Sequence, residues 1–360
     1  MVPLRALSVV PAVFGLALMS AGCQRAEPVQ WDSSEQVKKL TPELGEQVTK
    51  IVNENAGSVL KPKMVSEKPV DDHTKTVRRE LQLKHGQDVY MKRCVQCHGV
   101  SGDGNGDVAN SLYPRPRDYT KGIFKFTSTP YGSKPRRDDL IATLRRGVTG
   151  TSMPAFRLLP KEDIEDVVDY VILLAQRGEL EVQLANEAEA SEELDPDYIS
   201  EFIDDVGAKW KDSSGPPTQP LTPQPELTPE RVALGREAFL TKGCSKCHAE
   251  DGRGHTKDNI GKDAWGHPTR AADLTSGMLR GGQEPIDIYR RILNGINGTP
   301  MPGFRNALES EPETVWNLVS YVLDVSNRRR SGTKIPAGLI KPYSEPVPAA
   351  EGEAAPAGAE

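Results

Sequence analysis

Beyond residue 19 the chain has no long apolar run. A helix that crosses a bilayer needs about 20 consecutive apolar residues. Only Leu4 to Met19 approaches that length, so the remainder is expected to stay out of a membrane interior. Aromatics are scarce at 6%, and hydrophobic residues reach only 37%. Side chains at that level fill a large core poorly, which leaves room for bound groups and for unstructured tails. Strand-like alternation is missing as well, so a sheet-based fold is not expected. Cysteine is sparse, but the five residues present are not scattered.

Four of them lie in two copies of C-x-x-C-H: Cys94-Val95-Gln96-Cys97-His98 and Cys244-Ser245-Lys246-Cys247-His248. Two thiols at this spacing can bond two edges of one porphyrin, and the adjacent His then faces the iron. Other chemistries use paired cysteines. A thioredoxin-like redox pair needs a strand–helix setting, and none is visible. A zinc site built from two cysteine pairs holds them within about 15–20 residues of each other, whereas Cys97 and Cys244 lie 147 apart. Each pair also has its own His and its own downstream Met-Pro. Two covalently attached haem c groups are therefore the expected cofactors.

The methionines sit in matching frames. Met153, in Gly150-Thr151-Ser152-Met153-Pro154-Ala155-Phe156, follows His98 by 55 residues, and Met301, in Gly298-Thr299-Pro300-Met301-Pro302-Gly303-Phe304, follows His248 by 53. A thioether suits the sixth position of a haem iron, and His/Met ligation raises the reduction potential. Elimination supports the pair. Met64 lies in a connecting segment, Met91 shares a helix with Cys94, and Met278 aligns with Ile123, which cannot ligate. Pro154 and Pro302 push the preceding Met toward extended backbone, which suits a ligand presented from a loop. His85, His255 and His267 have no partner in the other copy and read as surface or core histidines.

The fifth cysteine, Cys23, ends the apolar run Leu4 to Met19 after Ser20-Ala21-Gly22. Residues 1–22 read as an export signal of lipoprotein type, with Cys23 as the lipidated mature N-terminus. An ordinary signal peptide and an uncleaved anchor are the alternatives. Each reading exports the protein, and the expected location is the periplasmic side, membrane-anchored by acyl chains.

The chain is internally duplicated. Gly86-Gln87-Asp88-Val89-Tyr90 and Gly235-Arg236-Glu237-Ala238-Phe239 precede the two motifs at one offset, and Val168-Asp169-Tyr170-Val171 matches Val319-Ser320-Tyr321-Val322. A period near 150 is a tandem domain duplication rather than a solenoid. Domains are expected at 84–178 and 229–330, separated by an acidic, Pro-rich linker at 179–228 that reads as an acidic helical extension and then an extended Pro-rich spacer. They are flanked by an N-terminal extension at 23–83, with an amphipathic helical pattern at Leu44, Val48, Ile51 and Val52, and a disordered tail at 331–360. Helices are expected into each haem motif, over 138–146 and 286–294, and where Ile164, Val167, Val168 and Val171 or Val315, Leu318, Val319 and Val322 recur at helical spacing.

Each repeat resembles a class I cytochrome c: a helix, C-x-x-C-H, loops, a Met-Pro loop and a closing helix. The likeness covers about 195 of the 360 residues. It implies an all-α fold of two tandem domains. It places haem 1 on Cys94 and Cys97 with His98 and Met153 at its iron, and haem 2 on Cys244 and Cys247 with His248 and Met301. The whole resembles dihaem c-type cytochromes of bacterial respiratory chains, whose role is electron transfer between redox proteins or complexes. Catalytic residues, a small-molecule substrate and nucleic acid are not expected. A dihaem peroxidase also carries two such motifs but needs one open iron, and both Met-Pro loops argue against it. The third reading is a haem subunit of a membrane-associated oxidase or dehydrogenase complex.

Charge is unevenly spread. The domain over 84–178 has 15 Lys/Arg against 11 Asp/Glu, whereas 179–230 has 14 Asp/Glu against two lysines. Basic faces near a haem edge steer acidic partners, and the acidic segment is free in principle to fold back on them. Lys134-Pro135-Arg136-Arg137 reads as a docking or solvated face. Asp103-Gly104-Asn105-Gly106-Asp107 imitates the start of a calcium loop, but Val108 and Pro114 stand where Gly and Glu are needed.

Overall fold

The computed structural model describes residues 29–65, 73–256 and 261–330. The signal segment, Cys23 and the 331–360 tail lie outside the described residues. Prolines open four helices at their first turn, where a missing N–H costs nothing. Thr41 caps α1 (Pro42–Ala56) by accepting from the Leu44 amide, and Thr228 and Asp195 cap two later helices in the same way. Helix α2 (His73–Arg93) runs into the first motif, which forms the single turn α3 (Val95–His98). Helices α4 (Arg137–Arg146) and α5 (Lys161–Ser191) complete the first unit. After α6 (Pro196–Asp212) the order repeats: α7 (Pro229–Thr241), α8 (Cys244–His248), α9 (Pro285–Asn294), α10 (Arg305–Leu308) and α11 (Glu313–Arg330). The chain is mostly helical. Its one described sheet pairs β1 (Gly261–Lys262) with β2 (Pro268–Thr269), antiparallel.

Both units are built on one helix crossing, and glycine makes it. Helix α2 meets α5 where a Cβ on Gly86 would fall on the Asp166 carbonyl and lie 3.2 Å from Tyr170 Cβ. Helix α7 meets α11 where a Cβ on Gly235 would fall on the Asn317 carbonyl, 2.9 Å from Tyr321 Cβ. Each crossing is lined by a fully buried tyrosine and its valine neighbours. Two cores result, one around Tyr90, Tyr170 and Leu174, the other around Phe239, Trp316 and Tyr321.

The acidic extension and the N-terminal helix pack on the first unit. The acidic stretch from 179 continues α5 to Ser191, burying Leu180, Leu184, Ala185 and Ala188, and α6 packs back with Val206 and Trp210. Glu179 accepts from Trp210 Nε1 at 2.7 Å and pairs with Lys134, and Arg177 pairs with Glu181 at 3.2 Å inside the core. The acidic hairpin is thus held by apolar packing along α5. The N-terminal segment packs there too: Val37, Val48 and Val52 enter the first core, and Trp31 lies against the Arg177 guanidinium at 5.0 Å. The acidic part of 179–228 is thus the helical extension expected of it, and the Pro-rich stretch 213–228 is free of helix. The basic run is likewise spent internally: Arg137 pairs with Asp169, Arg136 donates to the Gly215 carbonyl, and Lys134 is 12% exposed.

The two units face each other across a pseudo-twofold. A Cβ on Gly150 would lie 3.3 Å from Met278 Sδ, and one on Gly298, its sequence equivalent, 2.9 Å from Ile123 Cγ2. Ile123 and Met278 are equivalent to each other. Phe126 and Gly281 are also equivalent, and a Cβ on Gly281 would lie 3.0 Å from Phe126 Cδ1. Asn297 fastens the seam by donating to the Ser133 carbonyl at 3.1 Å and accepting from the Gly132 amide at 2.8 Å.

Candidate haem sites

In each unit the long helix delivers its first cysteine at a helix end and the short turn sets the second. The Cys94 carbonyl accepts from the amides of Cys97 and His98 at 3.1 and 2.9 Å. All four motif cysteines are free thiols. Burial pushes the Cys94 thiol up to about 12 and that of Cys244 up to about 11. That direction is opposite to a redox-active or metal-binding thiolate pair, whose surroundings lower the thiol. The described residues hold no cluster of three His, Cys, Asp or Glu groups suited to a metal ion, and the two cysteine pairs lie in separate units.

The two motif histidines are fixed alike. His98 Nδ1 lies 3.0 Å from the Arg117 carbonyl and His248 Nδ1 lies 3.1 Å from the Ala272 carbonyl. A carbonyl only accepts, so the proton sits on Nδ1 and the Nε2 lone pair is left free, the tautomer an iron ligand requires. Burial pushes His98 down to about 4 and lowers His248, which keeps both rings neutral. His98 stacks on Tyr119 at 4.7 Å, and Tyr119 stacks on Phe124.

The Met loops match bond for bond. The Val148 amide donates to the Met153 carbonyl and the Ile296 amide to the Met301 carbonyl, both at 3.1 Å. Thr151 Oγ1 accepts from the Met153 amide at 3.1 Å and donates to the Val148 carbonyl at 2.7 Å. Thr299 does the same for Met301 and Ile296, at 3.3 and 2.8 Å. The threonines were visible in the sequence as a repeated Gly-Thr, but their clamping role needed the loop conformation.

The cytochrome C oxidase, cbb3-type, subunit III family model matches residues 81–171, and the cytochrome c family model matches 232–326. A solved chain of the reducing HAO-like protein complex of Kuenenia stuttgartiensis is 31% identical with a TM-score of 0.52, the alignment covering 67% of this chain and 96% of that one. The chain belongs to the dihaem c-type cytochromes. No curated protein sequence matches it.

As a c-type cytochrome it binds haem c covalently and works by haem-based electron transfer. The residues fit that group. Each unit offers two free thiols, a neutral imidazole with Nε2 available, and a clamped methionine. The remaining histidines do not gather at these sites. His85 bonds Asp166 at 2.8 Å on the outside of the helix crossing, and His255 and His267 are exposed. The Asp103 loop closes on itself, with the Asp103 carboxylate accepting from Asn105.

Proposed function

We propose that this cytochrome carries two haems c, one bonded to Cys94 and Cys97 and one to Cys244 and Cys247. His98 and Met153 ligate the first iron and His248 and Met301 the second, and no catalytic residue is assigned. The protein relays electrons between respiratory-chain partners on the periplasmic side, held to the membrane through a lipidated Cys23. The observation that carries the reading is the bond-for-bond identity of the two Thr-clamped Met loops. It supports equal ligation at both irons, which leaves no open position for peroxide and disfavours the peroxidase reading.

When bound, the haem supplies a one-electron couple. The chain's part is to hold that couple still. The Arg117 and Ala272 carbonyls orient the imidazoles, the threonines hold the methionines, and burial of Tyr119 and Phe124 beside His98 keeps water away. A stiff ligand set costs little rearrangement as charge changes. Permanent membership of a larger assembly is the second reading. It is favoured by the similarity to a chain of a multi-subunit HAO-like complex.

The test is a redox titration followed in the visible and near-infrared. The ferric protein should show the sulfur-to-iron band with intensity for two sites, and Met153→Ala and Met301→Ala should each remove half of it. A high-spin haem that reacts rapidly with peroxide in the parent protein would replace this reading with an enzymatic one.

A further inference from the structure

The pseudo-twofold seam has one member without a counterpart. Both units bond the residue six after the axial His back to its carbonyl, Gly104 to His98 and Gly254 to His248. Between that point and Arg115 or Arg270 the second unit has five more residues. This longer stretch holds the β1–β2 hairpin, and Trp265 stands in its loop.

Trp265 reaches both candidate sites. Its Nε1 donates to the Asp118 carbonyl at 3.2 Å, and the Arg117 guanidinium lies 3.7 Å over its ring. Arg117 is the residue whose carbonyl fixes His98. On the other side a Cβ on Gly298 would lie 2.8 Å from the ring, and the Ala264 amide donates to the Gly298 carbonyl at 3.0 Å. Gly298 opens the loop that presents Met301. Two cross-seam bonds brace the hairpin: Lys125 Nζ to Asp263 at 3.2 Å and Lys121 Nζ to the Ala264 carbonyl at 3.0 Å. The remaining seam contacts of α9, through Arg291 and Asn294, end on the Lys125–Thr129 backbone rather than on a ligand loop.

We propose that Trp265 is a positioning residue that joins the axial-His loop of the first haem site to the axial-Met loop of the second, and that electron exchange between the two haems depends on this contact. The proposal rests on the two-haem reading above. In each exchange one electron leaves the ferrous iron of one site and reduces the ferric iron of the other, with no further reactant. The aromatic face holds Arg117 by a cation–π contact, the indole N–H holds the backbone beside it, and the ring edge sets the Gly298 turn.

The test uses the full-length, haem-loaded protein. One haem is photoreduced and re-equilibration is followed in the visible bands, alongside a redox titration that resolves both potentials. Trp265→Ala should slow exchange by about 10-fold or more, because a loosened ligand loop changes both separation and orientation. It should also lower the potential of the haem at His98, where the lost indole admits water. Trp265→Phe, which retains a ring face, should recover most of the rate. Trp265→Leu, which fills the space without a ring face or N–H, should behave as the Ala variant and serves if that protein does not accumulate. Exchange at the parent rate in the Ala or Leu protein would overturn the proposal. So would an equal slowing in Asn297→Ala, which cuts two seam bonds away from Trp265. A parent protein with a single haem would overturn the two-haem reading and this proposal with it, whereas unchanged exchange in a variant with both haems overturns this proposal alone.

Discussion

Ala249 holds a backbone conformation that its side chain resists. It follows the motif residue His248 with φ 60° and ψ 166°, and its equivalent in the first unit, Gly99, has φ 75° and ψ 164°. That region is essentially reserved for glycine and costs other residues of order 1–3 kcal/mol. The chain must turn there to bring Gly254 back onto the His248 carbonyl, so the second unit keeps the turn at the expense of strain. Ala249→Gly should therefore stabilise it by about 1 kcal/mol after the extra freedom that glycine gives the unfolded chain. Denaturant unfolding followed at the second haem would measure this, and a loss of stability would mean that the methyl group's packing outweighs the strain. The spacing of the thiols, histidines and methionines was legible in the sequence because each is a repeated residue type in a repeated frame. The acceptors that orient the histidines were not legible. They are backbone carbonyls of Arg117 and Ala272, and a carbonyl has no sequence identity.

At the scale of elements, the α2–α5 and α7–α11 crossings decide whether each unit closes. Gly86 and Gly235 are ordinary-looking helix glycines whose absent side chains let two backbones touch. Gly86→Ala or Gly235→Ala should each cost at least about 2 kcal/mol, since the clash is with a neighbouring helix backbone that cannot give way alone. Gly45, inside α1, supplies the contrast. A Cβ there would meet the Val37 carbonyl oxygen at an ordinary 3.5 Å, so Gly45→Ala should stabilise the protein by up to about 1 kcal/mol through helix propensity. Thermal unfolding of the three variants beside the parent separates the cases, and destabilisation of similar size at Gly45 would show that propensity and packing had been misjudged. Helix positions were readable from apolar periodicity, but lengths were not. Helix α2 begins at His73 rather than at Gly86, through a stretch dominated by Thr, Lys, Arg and Glu in which only Val77, Leu81 and Leu83 are apolar. Helix α5 runs 31 residues because Leu180, Leu184 and Ala188 continue its buried stripe into the acidic extension.

For the whole molecule, composition misled in one direction. Low aromatic content and acidic stretches suggest loose connections, yet residues 29–65 are a working part of the first unit. Asp32 and Ser34 tie them down: the Asp32 amide donates to Ser101 Oγ at 2.6 Å, in the loop after the first haem motif, and the Ser34 amide donates to Glu181 at 3.0 Å. The segment thus straps the haem loop to the far half of α5, and its valines close the groove between them. A chain begun at residue 73 would expose the faces now covered by Val37, Val48 and Val52, which are 6%, 0% and 1% exposed. At about 1.5 kcal/mol for each buried valine, the first unit should lose roughly 5 kcal/mol, a large share of the stability of a domain this size. The second unit shares no core residue with the strap. Shortening the chain should therefore separate the two haem sites in unfolding: the visible band of the haem at His98 should change first on heating, while that at His248 keeps its parent midpoint. If both sites kept the parent midpoint, the strap would be an appendage rather than part of the first core. If both fell together, the seam through Trp265 and Asn297 would couple the units more strongly than their separate cores hold them.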